Sequence, residues 1–248
     1  MAQRYFLELS YHGGAYHGWQ VQENALSVQQ VLNEALETLL RHPVETIGCG
    51  RTDTGVHATQ HFAHLDTDVA LNERFLHSLN ALLPWDIAVK RFIPVAAEAH
   101  VRFDATLRSY EYHIHFKKDP FRSDLSWYMR DKPAIDLMNQ AAEMLKEYTD
   151  FSCFSKSNTQ TFTNNCKITR ALWQETEHGL VFHISADRFL RNMVRAIVGT
   201  LVEIGKENMP PEAIRQIIES KNRSNAGASV PACGLYLTEV QYPYLNHG

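Results

Sequence analysis

The densest group of chemically capable side chains is the run GCGRTDTGVHATQH, residues 48 to 61. Arg51 and Asp53 lie two residues apart, so in extended backbone they face the same side, and the surrounding glycines let main chain approach a ligand closely. A guanidinium beside a carboxylate can hold an anion and offer a nucleophile or base. The same residues also suit an ordinary turn in which Asp53 accepts local amides and Arg51 pairs with it. A second group, DRFLRNMVRAIVG at residues 187 to 199, repeats Arg188, Arg191 and Arg195 at intervals of three and four. That spacing predicts a basic stripe on one helix, either a phosphate-facing ridge or a solvated arginine face. In the third, VRFDATLRSYEYHIHF, Tyr110 and Tyr112 share one face of a strand, as a stacking platform or as packing.

His57, His61 and His64 sit close in sequence but lack metal-ligand spacing, with no HExxH pattern and an extended rather than helical context. They are expected to be structural or solvent-facing. Neither GxGxxG nor GxxxxGK[ST] occurs, so no cofactor and no metal are expected. The four cysteines, Cys49, Cys153, Cys166 and Cys233, are too dispersed for a zinc knuckle or redox pair, in keeping with a reduced cytoplasmic chain. Neither a signal-like apolar start nor an 18-residue apolar run is present, so no membrane partner is expected.

The elements that must position these residues follow from periodicity. RYFLELSY at 4 to 11 alternates as a strand and runs into Gly13 and Gly14. Ser27 with Gln30 has capping-box spacing, and Val28, Val31, Leu32, Ala35, Leu36 and Leu39 carry a helix through Leu40. Residues 44 to 66 hold two strand fragments around the glycine-flanked loop; 71 to 83 is helical and 87 to 95 a strand. The later chain repeats this order, with a strand at 110 to 116, a helix at 134 to 148, a polar segment from Ser155 to Asn165, and a strand pair turning near His178 and Gly179. The pair is followed by a helix from about Leu190 to Ile204, a short helix after Pro210 and Pro211, and a final strand in GLYLTEV. Two α/β (α+β) halves are predicted, residues 1–105 and 106–248, each with helices packed on a sheet. With 248 residues, 44% apolar and 21% charged, the chain has an average globular composition. Its formal charge of −4 excludes a global positive field and leaves only local basic sites for a polyanion.

Taken together, GRTDTGVHA at 50 to 58, RSYEY at 108 to 112, RFLRNMVRAIVG at 188 to 199 and GLYL at 234 to 237 closely resemble the tRNA pseudouridine synthase A family. YHGGAYHGWQVQ at 11 to 22 also resembles that family's N-terminal segment, so the matches span nearly the whole chain in order. The resemblance implies two ferredoxin-like halves sharing a central, mainly antiparallel sheet, the pseudouridine synthase fold. It implies isomerisation of uridine to pseudouridine at positions 38, 39 and 40 of the transfer RNA anticodon arm, by a cytoplasmic homodimer without a cofactor. Asp53 matches the essential aspartate, acting at ribose C1′, on the base, or in a proton-removing route through a glycal-like intermediate. Tyr110 matches the active-site tyrosine and Arg195 the basic partner of Asp53. Arg51 matches the arginine of nucleotide flipping and Leu235 an apolar wall of the uracil pocket. Arg188 and Arg191 fall to phosphate or cleft surroundings. The competing readings are a noncatalytic RNA-binding or RNA-folding module on the same scaffold, and a metal-dependent nucleic-acid hydrolase, for which no carboxylate and histidine cluster is evident.

Overall fold

A computed structural model describes residues 2 to 155 and 163 to 245, so most of the polar segment between Ser155 and Asn165 lies outside the described residues. The chain divides into two compact units, Met1–Thr106 with Leu237–Gly248, and Leu107–Tyr236. Residues after 236 thus belong with the first unit rather than with the segment that precedes them.

In unit one, β1 (Gln3–Tyr11) leads to α1 (Val28–Leu40), β2 (Ile47–Gly48), β3 (His57–Thr67), α2 (Glu73–Leu82) and β4 (Ile87–Val95). Ser27 caps α1 by accepting from the Gln30 amide at 3.3 Å. Only half of the capping box forms, because the Gln30 side chain donates forward to Glu34. Val28, Leu32, Ala35, Leu36 and Leu40 are the buried face, close to the periodic pattern. Asn72 caps α2 in the same way, accepting from the Phe75 amide.

β3 and β4 flank β1, and both run antiparallel to it. β3, α2 and β4 therefore make a split crossover between parallel strands. β2 adds two residues beside β3.

Unit two contains β5 (Leu107–His115), β6 (Trp127–Tyr128), α3 (Ile135–Met144), β7 (Ile168–Thr176), β8 (Gly179–Ala186), α4 (Met193–Gly205) and α5 (Ala213–Glu219). β5 and β7 flank β8, each antiparallel to it, so β5, α3 and β7 form a second split crossover. The short β6 runs parallel to β5. α3 packs on α4 and β7. α4 is apolar almost all round and buried except at Arg195 and Glu203, as befits a helix within the core of its unit. The last strand, β9 (Leu235–Gln241), lies beside β3 in unit one from Leu237 on. There the Val240 amide donates to the Gln60 side chain and the Thr106 amide to the Gln241 carbonyl.

One expectation fails at α4. The periodicity carried the helix back through Leu190 and placed Arg188, Arg191 and Arg195 on one stripe. The helix instead begins at Met193, because Asn192 is left-handed at φ 65° and an α-helix cannot continue backwards through it. Asp187 stops the upstream chain by accepting the Lys167 and Arg188 amides, each at 2.7 Å. Arg188 and Arg191 are therefore loop residues, and only Arg195 is helical. No helix of the described residues is long and apolar enough to cross a membrane, and no disulfide joins the four cysteines.

Candidate active site

Unit one carries Arg51 and Asp53 on the loop between β2 and β3, held from below by the segment that follows β1. The Cys49 amide donates to the Phe62 carbonyl at 2.8 Å and the Gly55 amide to the Tyr16 carbonyl at 3.2 Å. Within the loop the Val56 amide closes a turn on the Asp53 carbonyl at 3.1 Å. The hydroxyls of Tyr11 and Thr52 meet at 2.9 Å. Gly18, at φ +84°, lies directly behind the loop; a Cβ there would fall 2.2 Å from the Thr52 carbonyl oxygen and 3.2 Å from the Asp53 carbonyl carbon. Tyr16, which accepts the Gly55 amide, is itself tied through its hydroxyl to Asp86 at 2.7 Å. Asp53 is half-buried on this scaffold; Arg51 is exposed and its Nε donates to Gln20 at 3.2 Å.

The neighbouring histidines are structural. His57 accepts the Gly13 amide through Nδ1 at 3.0 Å. His61 is fully buried against Trp19, ring centroids 4.0 Å apart, and burial pulls its pKa down to about 3. His64 stacks on Phe6 and accepts the Val101 amide at 3.2 Å. Burial, then Arg4 and His100, lower its pKa to about 4 against the opposing pull of Asp66 and Asp104. Among the described residues no group of three His, Cys, Asp or Glu side chains is arranged to hold a metal ion.

Both imidazoles are neutral in the fold but ordinary in the unfolded chain, which binds the extra protons as pH falls below about 6.5. Their contribution is therefore complete above that pH and is lost progressively toward pH 4. For His61 alone the loss by pH 5 is about 2 kcal/mol. The urea midpoint should fall clearly from pH 7 to pH 5, with a shallower slope in His61→Leu; equal midpoints would mean that the fold accommodates charged imidazoles.

Unit two carries the other five candidates. Tyr110 on β5 is half-buried with its ring edge-on to Phe189, centroids 5.2 Å apart at 88°. Tyr112 does not complete a stacking platform with it: the side chain is fully buried and its hydroxyl donates to the Pro231 carbonyl at 2.8 Å, so it is a core residue. Arg195 is half-buried in the first turn of α4. Its Nε donates to the Val230 carbonyl at 2.7 Å while the Val230 amide returns to the Arg195 carbonyl at 3.3 Å. Leu235 is buried at the start of β9, four residues after the Pro231 that Tyr112 holds. Unit two thus gathers Arg195 and the 230–235 segment around the buried Tyr112. Arg188 is half-buried and Arg191 exposed on the loop before α4. Nearby, Arg108 donates to the Asp187 carbonyl at 2.9 Å.

Residue chemistry alone passed over the groups that position these candidates. Gly18, Tyr11 and Thr52 carry no reactive signature; the only signal for Tyr11 and Gly18 was the resemblance of residues 11 to 22, and for Thr52 its place inside the 48 to 61 run. Val230 and Pro231 act through backbone carbonyls, which any sequence supplies.

A family model described as tRNA pseudouridine synthase matches residues 141–243. The tRNA pseudouridine synthase A of Parabacteroides distasonis is 48% identical over 243 residues, covering 97% of this chain and 96% of that protein. That of Porphyromonas gingivalis is 49% identical over 249 residues, covering 97% of each. A more distant relative of the same name, from Acetivibrio thermocellus, is 38% identical over 239 residues, covering 95% of this chain and 98% of its own. Near-complete coverage at these identities leaves no separate half to be explained: the chain belongs to the tRNA pseudouridine synthase A family.

Proposed function

We propose that this chain isomerises uridine to pseudouridine at positions 38, 39 and 40 of the transfer RNA anticodon arm, with Asp53 as the catalytic carboxylate. The observation that carries the reading is full-length family similarity together with Asp53 standing half-buried on a loop fixed by Tyr11, Tyr16 and Gly18. The C1′–N1 bond breaks, the base turns, and C1′ bonds to C5. C5 then loses a proton and N1 gains one. Atoms and electrons balance within the nucleotide, so the reaction calls for no redox cofactor and no phosphate donor.

Arg195 is the basic residue of the chemistry in this reading, since a guanidinium favours an ionised carboxylate. Its Nε bond to Val230 presets the guanidinium, which reduces the ordering needed when substrate arrives. Tyr110 lies against the extruded base, and its hydroxyl serves proton transfer. Leu235 walls the uracil pocket. Arg51 occupies the space that the flipped nucleotide leaves, a role suited to its exposure and planar fork. Arg188 and Arg191 face phosphate from the loop before α4.

The finer architecture belongs to the same proposal. Each of the two units is a ferredoxin-like half, a reading supported by the split crossover in each. The working form is a cytoplasmic homodimer whose combined basic surfaces embrace one transfer RNA, which reconciles a polyanionic substrate with a charge of −4 per chain.

Because carbon–carbon bonding at C5 expels the C5 hydrogen, a transcript carrying tritium at uridine C5 provides the test. Up to one tritium should be released to solvent per target uridine, with a solvent proton taken up at N1 and the RNA chain left intact. Tight RNA binding with no release would favour the noncatalytic reading.

A further inference from the structure

Outside the residues assigned above, unit one builds an exposed loop whose backbone is closely tied down. Residues 100 to 104 form a turn in which side chains accept four of the five backbone amides. The Asp104 carboxylate accepts the His100 amide at 2.7 Å, and the Asp104 amide returns to the His100 carbonyl at 3.0 Å. His100 Nδ1 accepts the amides of Arg102 at 3.1 Å and Phe103 at 3.3 Å. His64 accepts the Val101 amide from below, Tyr242 donates to the Val101 carbonyl at 2.5 Å, and Tyr244 donates to Asp104 at 2.8 Å. Val101 is completely buried and anchors the turn.

What this cradle presents is Phe103, 74% exposed, and Arg102, also exposed, its guanidinium carbon 5.7 Å from the Phe103 ring centre. The ring rests on the His100 imidazole, centroids 4.2 Å apart at 34°. An isolated exposed phenylalanine is commonplace and carries no message by itself. Here the backbone beneath it is immobilised by two histidines, two tyrosines and an aspartate, so little ordering entropy remains to be lost when something stacks on the ring. Trp85 is more exposed, at 91%, but its aromatic neighbour His12 lies 6.5 Å away, without a comparable support.

We propose that Arg102 and Phe103 form a preorganised stacking site for an unpaired base of the RNA substrate, with the Arg102 guanidinium beside the adjoining phosphate. The proposal rests on the functional reading above and adds to it a contact outside the uridine pocket. An unstacked nucleotide offers both a π-face and an anion at this scale, and the pair meets each with its natural partner.

The test compares wild type with Phe103→Ala, Phe103→Trp and Arg102→Ala by equilibrium binding of an unmodified transfer RNA transcript across a salt series, alongside kcat and KM. Phe103→Ala should weaken binding about tenfold, as loss of one base–aromatic stack does. KM should rise with it and kcat at saturating RNA should change far less, since the ring does not touch the reacting atoms. Phe103→Trp should restore affinity, and Arg102→Ala should reduce the salt slope by about 0.7 to 0.9. Thermal midpoints of all three variants should stay near wild type, because neither side chain is buried. Wild-type affinity in Phe103→Ala would overturn the assignment. So would dissociation of a dimer with RNA affinity per dimer unchanged, which would give the ring to a second copy of the chain. If wild type neither binds nor modifies the transcript, the functional reading fails first and this site falls with it.

Discussion

Asp53→Asn should abolish pseudouridine formation, with a loss on the order of 10^4-fold or more at saturating RNA, as expected when a residue that acts covalently or as the essential base is removed. The substitution keeps the size and shape of the side chain. The turn that carries it is closed by the backbone bond from the Val56 amide to the Asp53 carbonyl, and the loop is tied to Tyr16 through the Gly55 amide. Neither bond uses the carboxylate, so the fold and the loop should survive. Transfer RNA binding and the thermal midpoint should therefore stay close to wild type while turnover disappears. Activity within tenfold of wild type would remove Asp53 from the chemistry altogether. Asp53→Glu separates the need for a carboxylate from the need for its position, and its extra methylene should leave only a small fraction of the rate.

The second large effect is expected from a residue with no reactive group. Gly18→Ala places a methyl 2.2 Å from the Thr52 carbonyl oxygen, a contact that backbone rather than a flexible side-chain tip must relieve. The φ of +84° adds strain of about 1 to 3 kcal/mol for an L side chain. The clash falls on Thr52 and Asp53, whose backbone sets the direction of the Asp53 carboxylate, and the strain falls on the segment directly behind them. A displacement of about 1 Å there should lower kcat roughly 10^2-fold, with KM for transfer RNA changing much less. Unaltered kcat would show that the segment after β1 merely lies beside the loop and does not aim it.

Much of this scaffold was legible in residue order. Helical spacing at 28 to 40 and 134 to 148 matches the faces of α1 and α3 that become buried, whereas the strand read at 4 to 11 is buried at four consecutive residues, Phe6 to Leu9, and alternation holds only at the start of β4. Other features were not legible, for definite reasons. The apolar spacing from Leu190 to Met193 resembles a helical face, yet Leu190 is buried from a loop, and nothing in periodicity announces that Asn192 turns left-handed. Spacing put Tyr110 and Tyr112 on one side of β5 but contained no depth, and depth is what makes Tyr112 a core residue. β6 is two residues long, below any periodic signal. The last strand alternates plainly, but alternation names no partner, so its membership of unit one emerges only from the pairing. At the site, residue chemistry pointed to Arg51 and Asp53 while leaving a simple turn open. Family resemblance supplied the roles, and the geometry added the backing of Tyr11, Tyr16 and Gly18, whose function is shape alone.

The central claim is that this chain converts anticodon-arm uridines to pseudouridine through Asp53. Its most direct test is position-resolved chemical mapping of pseudouridine in transfer RNA transcripts, each with uridine at only one of positions 38, 39 and 40, after incubation with equal amounts of wild type or Asp53→Asn. Modification at all three positions by wild type and at none by the folded, RNA-binding variant is the predicted result. Equal modification by both proteins, or none by a folded wild type that still binds each transcript, would contradict it.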